Sequence, residues 1–593
     1  MTTTTGEQVL RRLHAGGIRR IYGYPGDGIN GVIGAFHRVD DVELIQTRHE
    51  EIAALAACAH AKLTGEVGAC LATSGPGAIH LLNGLYDAKL DHQPVVAVVG
   101  QQARVSLGSD YQQEVDLPAL LKDVCGAYLQ TCMAPEQAPH LIDRAIRVAR
   151  ATRSPTCVVL PSDVQEEPFE EPPRAHGTTW TSPQPGPLPA VVPEEPALAR
   201  AAEVLNAGER PAILVGAGAK GAATSLVAIA DRLGAGVAKA LNGRAVLPDD
   251  LPWVTGSIGL LGTRASHELM EGCDTLLLVG TGFPYSEWLP EPGRARAVQI
   301  DLDGTRLGNR YPTEVDLVGD ADATLRALLP LLRPSRDGAW RAQVEEHVRR
   351  SHEELDAQAR QPADPVNPRR VLQELSPRLP DRCILTADSG SSTGWWARHL
   401  RVRQGMDAIL SGTLASMCPA IPYALAAKLA FPDRPVVATL GDGAMEMLGV
   451  NALIDVARYR DRWSDPRLVV CVLDDRDLNM VTWEQRTTSG DPRLPDSQDV
   501  PPFDHAGFAR LLGLEGVLVE DPDKLGDAWD HVLSCGRPAV LQVRTDPEIA
   551  PLPPHVDASM ARKLGRAVLR RDEGGRSMVR KALRDQLLAM RRR

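Results

Sequence analysis

The sequence predicts an α/β protein of three successive Rossmann-like domains with parallel sheets, followed by a basic C-terminal helical tail. The chain has 593 residues, which suffices for three domains of roughly 100–200 residues each. Short, continuous, often valine-rich apolar runs recur along it and end in Gly, Asp or Pro, as is typical of strands buried on both faces of a parallel sheet. Two stretches rich in proline, from Glu166 onward and near residues 360–370, interrupt this pattern and indicate linkers.

Eight apolar runs predict buried strands. They are VGACLATSGPG, PVVAVVG, PTCVVLP, PAILVGAGAKG, DTLLLVGTGFP, AVQIDLD, PVVATLGDG and LVVCVLDD. The linkers then predict domains at 1–180, 190–335 and 365–550, and a tail at 551–593. The first and third domains are candidates for a related fold.

Composition narrows the function classes. A net charge of −11 speaks against nucleic acid as the main partner, since duplex binding normally needs a basic face. The ten cysteines are scattered without a C-x-x-C pair, which favours free thiols in a reducing cytoplasm over disulfides or a zinc site. The N-terminus lacks a long apolar region, and no run reaches the roughly 18 apolar residues that span a bilayer. We therefore expect a soluble cytoplasmic protein of metabolite chemistry.

The turn Gly441-Asp442-Gly443 directly follows one predicted strand. Asp-Gly sequences are common in tight turns, which is the simplest interpretation. However, the carboxyl end of a parallel strand, where a helix begins, also favours phosphate, and an aspartate there can hold a metal that bridges to it. The turn by itself leaves both interpretations open.

A second acidic pair favours the metal. Asp474-Asp475 ends the next predicted strand, and Asp475 lies 33 residues after Asp442. One crossover helix and a loop fill that distance, so both acids are expected at the same edge of adjacent strands. Two carboxylates and a diphosphate would form the oxygen-rich octahedral site that Mg²⁺ prefers.

The pattern resembles the fingerprint of thiamine-diphosphate-dependent enzymes, in which GDG is followed one strand later by an asparagine-rich strand end. Residues 47–100 are similar to the pyrimidine-binding domain of pyruvate oxidases, with an R-H-E opening, an S-G-P-G loop and an H-L-x-N-G-L-x-D helix. GTGFPYSEWLP and VQIDLDGTRLG resemble the FAD-carrying middle domain of the same group. The resemblance covers all three domains in the same order, from about Gly23 to about Pro551. Acetolactate synthases are related to the same group.

The resemblance implies that Glu50 is the catalytic carboxyl group facing N1′ of the cofactor's aminopyrimidine, where burial would raise its pKa and let it share a proton. The alternative is a solvated acid beside Glu51. Gly412 would give close backbone approach, and Leu414 would prop the cofactor in a bent form unless it is ordinary core. The implied thiamine diphosphate-binding residues are Pro25, Gly26, Glu50, Gly412, Thr413, Leu414, Asp442, Gly443 and Ala444.

The implied Mg²⁺ ligands are Asp442, Asp475 and the backbone carbonyl of Asp477. Here the chain departs from the family, which usually has Asn-Asn where this chain has Asp474-Asp475. A carboxylate is still a hard oxygen ligand, but it adds negative charge beside a diphosphate. Weaker cofactor binding is one expected consequence.

The middle domain predicts a flavin site. Gly216, Gly218 and Gly221 have G-x-G-x-x-G spacing, which is weak evidence because such glycines also serve packing. The resemblance implies stronger FAD contacts at Gly259, Leu260, Leu261, Gly280, Thr281, Gly282, Phe283, Pro284 and Asp301. The alternative is a retained domain without flavin.

The function implied is thiamine-diphosphate- and FAD-dependent oxidative decarboxylation of a 2-oxo acid, foremost pyruvate to acetate and CO₂, with electrons passed to quinone or O₂. One alternative is an acetolactate synthase-like carboligase with structural or absent flavin, and another is a catalytically silent paralogue that acts as a binding protein. The resemblance also implies a homodimer or homotetramer with active sites at the dimer interface.

The tail predicts peripheral membrane contact. Residues 561–593 hold twelve Arg or Lys and three Asp or Glu. Val579, Leu583, Leu587 and Met590 fall on one apolar stripe of a basic helix, which suits an anionic membrane surface. Quinone-linked pyruvate oxidases use this segment similarly, so residues 575–593 are expected to bring the flavin to quinone at the inner face of the membrane. The alternatives are docking on the protein's own acidic surface and a disordered tail.

Overall fold

The fold class is confirmed by the computed structural model, which describes residues 3–335, 338–494, 496–555 and 558–570, together with 572, 577, 580, 581 and 584. Three six-stranded sheets follow one another along the chain. The pairings within them are parallel, and the central strands are buried from end to end. All eight apolar runs predicted as strands form strands.

The first sheet has the strand order β2-β1-β3-β4-β6-β5. Its strands are β1 (Arg20–Gly23), β2 (Glu43–Gln46), β3 (Gly68–Ala72), β4 (Val95–Gln101), β5 (Leu129–Thr131) and β6 (Thr156–Pro161). The helices of this region are α1 (Thr5–Ala15), α2 (Asn30–Ala35), α3 (Glu50–Thr64), α4 (Pro76–His80), α5 (Leu82–Leu90), α6 (Leu117–Leu121), α7 (Ala138–Thr152) and α8 (Ser162–Glu166).

The second sheet has the order β12-β11-β10-β7-β8-β9, the arrangement of dinucleotide-binding folds. Its strands are β7 (Pro211–Val215), β8 (Gly236–Lys239), β9 (Val254–Ser257), β10 (Thr275–Val279), β11 (Arg296–Asp301) and β12 (Val315–Val318). The helices here are α9 (Glu195–Ala207), α10 (Ala223–Leu233), α11 (Arg264–Gly272), α12 (Ala321–Leu328) and α13 (Ala339–Ala359).

The third sheet, β14-β13-β15-β16-β18-β17, repeats the order of the first. Its strands are β13 (Ile384–Ala387), β14 (Asp407–Leu410), β15 (Val436–Gly441), β16 (Leu468–Asp474), β17 (Glu515–Val519) and β18 (Ala539–Arg544). The remaining helices are α14 (Pro368–Leu375), α15 (Ser391–His399), α16 (Ala420–Ala430), α17 (Asp442–Ala444), α18 (Val450–Tyr459), α19 (Asn479–Glu484), α20 (His505–Leu511), α21 (Leu525–Ser534) and α22 (Ala558–Leu569).

The predicted linkers correspond to irregular chain, with one difference. Residues 167–194 carry no helix or strand beyond an isolated bridge at Pro168. The second linker is shorter than predicted, because α14 already begins at Pro368. The Asn367 side chain caps this helix by accepting from the Arg369 N–H, and proline is well tolerated in a first helical turn. The predicted domain boundaries themselves stay a prediction.

The chain divides into two compact units that are not continuous in sequence. The first comprises Met1–Leu188, Ser411–Ala438 and Glu446–Leu468, and so contains the first sheet together with α16 and α18. Within this unit α16 packs against α3. The second comprises Pro189–Leu410, Thr439–Met445 and Val469–Arg593.

The described part of the tail contacts the protein's own residues. In the second unit, Leu564 of α22 packs on a small cluster around Trp483. Buried Asp572 accepts from Arg486, and Lys581 lies 2.6 Å from Asp546. These contacts correspond to the docking alternative, whereas the apolar stripe of Val579, Leu583, Leu587 and Met590 lies outside the described residues.

Two predictions from composition can be compared with the structure. The ten cysteines are free thiols, nine of them buried. Within the described part of the chain, no helix is long and apolar enough to cross a membrane.

Candidate active site

Glu50 is the first residue of α3, directly after the short loop that follows β2. The His49 side chain caps the helix by accepting from the Glu51 N–H at 3.1 Å. Glu50 is only 8% exposed, and its Oε2 lies 2.9 Å from Nδ1 of His80. The solvated-acid alternative therefore does not describe this side chain, since it is buried beside a proton-binding partner.

His49, Glu50 and His80 form a compact group whose ligand atoms all lie within 4.8 Å of one another. The two imidazole rings stack with their centroids 4.5 Å apart. Because Nδ1 of His49 accepts a backbone hydrogen bond, the proton of a neutral His49 sits on Nε2. This arrangement is better suited to sharing protons around Glu50 than to holding a metal.

Pro25 and Gly26 follow β1, next to the residues that follow β3. A Cβ atom on Gly26 would lie 2.6 Å from the Cβ of Thr73, so only glycine fits there. A Cβ on Gly77 would approach Oε1 of Glu50 to 3.3 Å. Strands β1 and β3 flank the point where the strand order reverses, which is where open parallel sheets bind ligands.

Gly412, Thr413 and Leu414 lie in the same unit as Glu50, in the loop between β14 and α16. Both Gly412 and Thr413 donate their backbone N–H groups to the Asp91 carboxylate at 3.0 Å. Leu414 is half-buried and does not belong to the buried core. The structure thus gives no support to an ordinary core role for Leu414.

The second unit contains the acidic cluster. Asp442 follows β15 and Asp475 follows β16, and these strands are neighbours. Asp442 is 3% exposed and accepts from the N–H groups of Gly443 at 2.8 Å and Arg476 at 2.6 Å. Burial and the charges of Asp442 and Asp477 raise the pKa of Asp475 well above its ordinary value.

Asp477 uses its side chain elsewhere. Its carboxylate accepts from the Thr482 hydroxyl at 2.9 Å and from Nε of Arg493 at 2.9 Å. That occupation agrees with the expectation that Asp477 would offer a metal its backbone carbonyl, although the Asn479 N–H also donates to this oxygen at 2.6 Å.

Asp474 has a role that the sequence did not indicate. Its carboxylate accepts from Arg544 at 2.9 Å and from the Gln542 amide at 2.6 Å. One of the two acids that replace the family's asparagines is therefore neutralised by an arginine of β18. The excess charge is confined to Asp475.

The donor set fits a hard divalent cation. The side chains of Asp442 and Asp475 offer the oxygen ligands that Mg²⁺ prefers. The positive charge of a bound Mg²⁺ would also favour the ionised form of Asp475, and so lower the pKa that burial and neighbouring acids raise. Gly443 and Ala444 follow Asp442 in the short helix α17, where the Gly443 N–H donates to the Asp442 carboxylate at 2.8 Å. The assignment of these residues to metal and diphosphate stays a prediction.

Several predicted flavin residues follow strands near the reversal point of the second sheet, which lies between β7 and β10. A Cβ on Gly259, whose φ is +94°, would lie 2.9 Å from the Phe283 ring. The segment Gly280 to Pro284 follows β10, and half-buried Asp301 ends the neighbouring strand β11. Burial raises the pKa of Asp301. Thr281 and Phe283 are buried, while Gly282 and Pro284 are exposed.

One further feature of this region supports the packing alternative for the glycines, and another was not found from sequence. Gly216 and Gly218 pack on Gly280, since a Cβ on either would lie within 2.8 Å of its backbone, so close packing explains these two glycines. Arg398 of α15 donates to the carbonyls of Leu260 and Gly262, both at 2.8 Å. It thereby fixes the loop that contains Leu260 and Leu261.

Comparisons with known proteins agree with this arrangement. The family models for the thiamine pyrophosphate enzyme N-terminal TPP binding domain, central domain and C-terminal TPP binding domain match residues 3–120, 198–328 and 388–543. A putative thiamine pyrophosphate-containing protein of Bacillus subtilis is 34% identical, with 96% of each chain covered. The chain belongs to the thiamine pyrophosphate enzyme family.

Other members of this enzyme family differ in their reactions. A pyruvate oxidase of Lactiplantibacillus plantarum is 32% identical over 74% of this chain and 73% of its own. The acetolactate synthase isozyme 2 large subunit of Escherichia coli is 30% identical over 91% of this chain and 95% of its own. The comparisons thus support thiamine diphosphate chemistry on a small molecule without distinguishing oxidase from carboligase.

Proposed function

We propose that this thiamine pyrophosphate enzyme decarboxylates a 2-oxo acid, foremost pyruvate, and passes the electrons to FAD. The observation that supports the proposal most is the pair of Asp442 and Asp475 at the ends of the neighbouring strands β15 and β16, because two adjacent acids, one of them with a raised pKa, favour a cation of the kind that anchors a diphosphate. The likeness to a pyruvate oxidase supports the oxidative outcome.

Thiamine diphosphate, when bound, supplies a thiazolium ring that accepts the electron pair released as CO₂ leaves a 2-oxo acid. The protein's part is to hold protons and to orient groups. Glu50 would hold a proton at the aminopyrimidine, with His80 within hydrogen-bonding distance to exchange it. Gly412 would bring its backbone to the pyrimidine, and Leu414 would support its apolar face.

The proposed reaction balances with water as the acyl acceptor. Pyruvate and water give acetate and CO₂, and the two electrons and two protons pass to the flavin. Quinone or O₂ would then reoxidise the flavin. Gly259, Phe283 and Asp301 are the residues we propose to hold FAD.

Anaerobic addition of pyruvate to the purified protein tests the reaction. Bleaching of bound flavin with one acetate formed per flavin is the expected result. Acetolactate without bleaching would instead support the carboligase. If neither acetate nor acetolactate forms and the flavin is not bleached, the result would support a silent paralogue. Glu50→Gln is the control: it should bind flavin but bleach it at least about 100-fold more slowly, because an amide cannot share the proton.

We further propose that the active site is shared by two chains, with Glu50 of one chain opposite Asp442 of a second. Mixing inactive Glu50→Gln and Asp442→Ala chains under subunit exchange should restore activity. A mixture that stays inactive would argue for self-contained protomers.

Membrane contact through residues 575–593 remains part of this proposal. Deletion after Glu573 should abolish sedimentation with anionic liposomes at low salt while leaving reduction of a small soluble dye unchanged. Equal liposome binding by the full and truncated chains would favour docking on the protein itself, for which the Lys581 ion pairs with Asp546 and Glu548 are evidence.

A further inference from the structure

The loop at residues 411–418 has an unusual backbone. Ala415 and Cys418 have φ angles of 55° and 82°, in the left-handed region that residues other than glycine rarely adopt. Such conformations cost free energy and persist only where the surroundings hold them. The contacts that hold this loop are therefore informative.

Asp91, at the C-terminal end of α5, is the principal contact. Its Oδ2 accepts from the Gly412 N–H and its Oδ1 from the Thr413 N–H, both at 3.0 Å. One carboxylate thus fixes two successive peptide groups, which determines the orientation of the backbone as well as its position. Its side chain is only 2% exposed, so water does not compete for these bonds.

Lys62 of α3 orients Asp91 in turn. Its ammonium group lies 2.8 Å from Asp91 Oδ2, 2.6 Å from the Tyr423 hydroxyl and 3.5 Å from Asp87. Tyr423, on α16, donates its hydroxyl to fully buried Asp87. Burial opposes ionisation of Asp91, yet Lys62 and the loop N–H groups hold its pKa below the ordinary value.

A second attachment comes from the other end of α5. The Asn83 amide donates to the Ser416 hydroxyl at 2.7 Å and to Glu51 at 2.6 Å. The two ends of α5 therefore hydrogen-bond to the loop at residues 411–418, and Asn83 also donates to Glu51, the residue next to Glu50. Both attachments belong to the first unit.

We propose that Asp91, oriented by Lys62, is a positioning residue that fixes the peptide groups of Gly412 and Thr413 and thereby presents Leu414 to thiamine diphosphate. The role in cofactor binding rests on the function proposed above. The structural part of the proposal, which we call the clamp, is that these hydrogen bonds hold residues 411–418 in place; it does not depend on the proposed function.

The test is Asp91→Asn, which keeps the volume but places an amide N–H₂ against at least one loop N–H. The matched control is Asp123→Asn. Asp123 is exposed and pairs with Lys89 of α5 at 2.9 Å. Amide hydrogen exchange in the cofactor-free protein should rise at least about 10-fold at Gly412 and Thr413 in Asp91→Asn and stay unchanged in the control. Unchanged exchange at these two amides, or an equal rise in β3 and β4, would overturn the clamp.

The cofactor role has its own readouts. Asp91→Asn should weaken thiamine diphosphate binding by about 10–100-fold, as loss of supporting contacts does at other sites, and should alter the near-ultraviolet circular dichroism of the bound cofactor. Unchanged affinity and an unchanged spectrum would overturn this role. A wild-type protein that turns over no 2-oxo acid would refute the proposed function, while the exchange result would still decide the clamp.

A second variant with a smaller change keeps the test valid if Asp91→Asn does not fold. Tyr423→Phe removes the hydroxyl partner of Lys62 and keeps the charges of Lys62 and Asp91. It should raise exchange at Gly412 and Thr413 a few-fold, and no rise would count against the proposal.

Discussion

Two buried acidic clusters of this protein differ in what balances them. In the first unit, Asp87 and Asp91 surround the ammonium group of Lys62; the pKa of Asp91 is lowered despite burial, while burial raises the pKa of Asp87. In the second unit, Asp475 lies beside the like charges of Asp442 and Asp477, and its pKa is raised. The same residue type therefore lies in opposite electrostatic environments.

The difference distinguishes a structural role from a ligand-binding one. A carboxylate balanced by a protein cation is satisfied within the fold and can fix a loop, as Asp91 does. A carboxylate whose pKa is raised by burial and by neighbouring like charges, as that of Asp475 is, experiences a repulsion that an external cation would relieve. Composition and spacing show neither property, because the balance depends on which side chains surround the acids.

Removing Asp442 should have the largest effect. Asp442→Ala is expected to lower the affinity for Mg²⁺ and thiamine diphosphate together by more than about 100-fold, since the metal links protein and diphosphate. Metal and thiamine analysis after gel filtration measures both. Asp461→Ala, at an exposed aspartate, is the control. Retention of both cofactors by Asp442→Ala would refute the assignment.

Removing Lys62 should make the first cluster resemble the second. Lys62→Met leaves buried carboxylates without their cation and is expected to destabilise the protein by about 3–5 kcal/mol in urea unfolding. Lys89→Met, on a neighbouring helix with a partly exposed lysine, should stay within about 0.5 kcal/mol of wild type. Equal stability of Lys62→Met and wild type would mean that Lys62 does not balance the cluster.

Asp455 of α18 is an intermediate case, in which Arg48 is the hydrogen-bonded partner and the charge of Arg458 also acts on the carboxylate. The backbone N–H of Arg48 donates to it at 2.9 Å and the Arg48 side chain lies 3.4 Å away, yet burial raises the pKa of Asp455 to about 7. Its folded-state pKa thus exceeds the unfolded one, so the folded state binds more protons between about pH 4 and pH 7 and loses stability as pH rises.

Comparison with Asp455→Asn isolates this contribution. The stability of the variant relative to wild type should increase by about 2 kcal/mol from about pH 5 to about pH 7, because asparagine does not titrate. Chemical unfolding of both proteins at the two pH values measures it. A difference independent of pH would contradict the raised pKa.

Replacing Asp475 should have the smallest effect, and of opposite sign to Lys62→Met. Asp475→Asn removes the carboxyl group whose ionisation burial and neighbouring acids disfavour, and should stabilise the cofactor-free protein by about 1 kcal/mol. The adjacent Asp474→Asn should instead destabilise it, because Arg544 would lose its carboxylate. If both substitutions change the free energy of unfolding in the same direction, the two aspartates are not distinguished by their partners.

The sequence predicted the interior of each sheet better than its edges. The strands β4 and β16 are buried along their whole length, and the apolar runs VVAVVG and LVVCVL in them give an unbroken apolar signal. Edge strands such as β5 and β12 are short and alternate in burial, and they were not predicted. Their pairing comes from the neighbouring strand, which local sequence does not record.

Site prediction followed the same division. Asp442 was recognisable because glycines flank it in a turn after a predicted strand, whereas Glu50 was assigned through the family resemblance of residues 47–100. Asp91, Arg398 and Arg544 were missed, since each meets its partner across 70 or more residues of sequence. Of these, only Asp91 lies near a quoted motif, the H-L-x-N-G-L-x-D helix.

The sequence by itself determined the fold class and the succession of three sheets, because buried parallel strands and turn glycines leave local patterns, and its resemblance to known motifs indicated the family. Only the tertiary structure decided that residues 411–438 and 446–468 join the first sheet's unit, and that Asp91 is balanced whereas Asp475 is not. The physical reason is that electrostatic balance and burial are properties of a surrounding volume, and residues distant in sequence fill that volume.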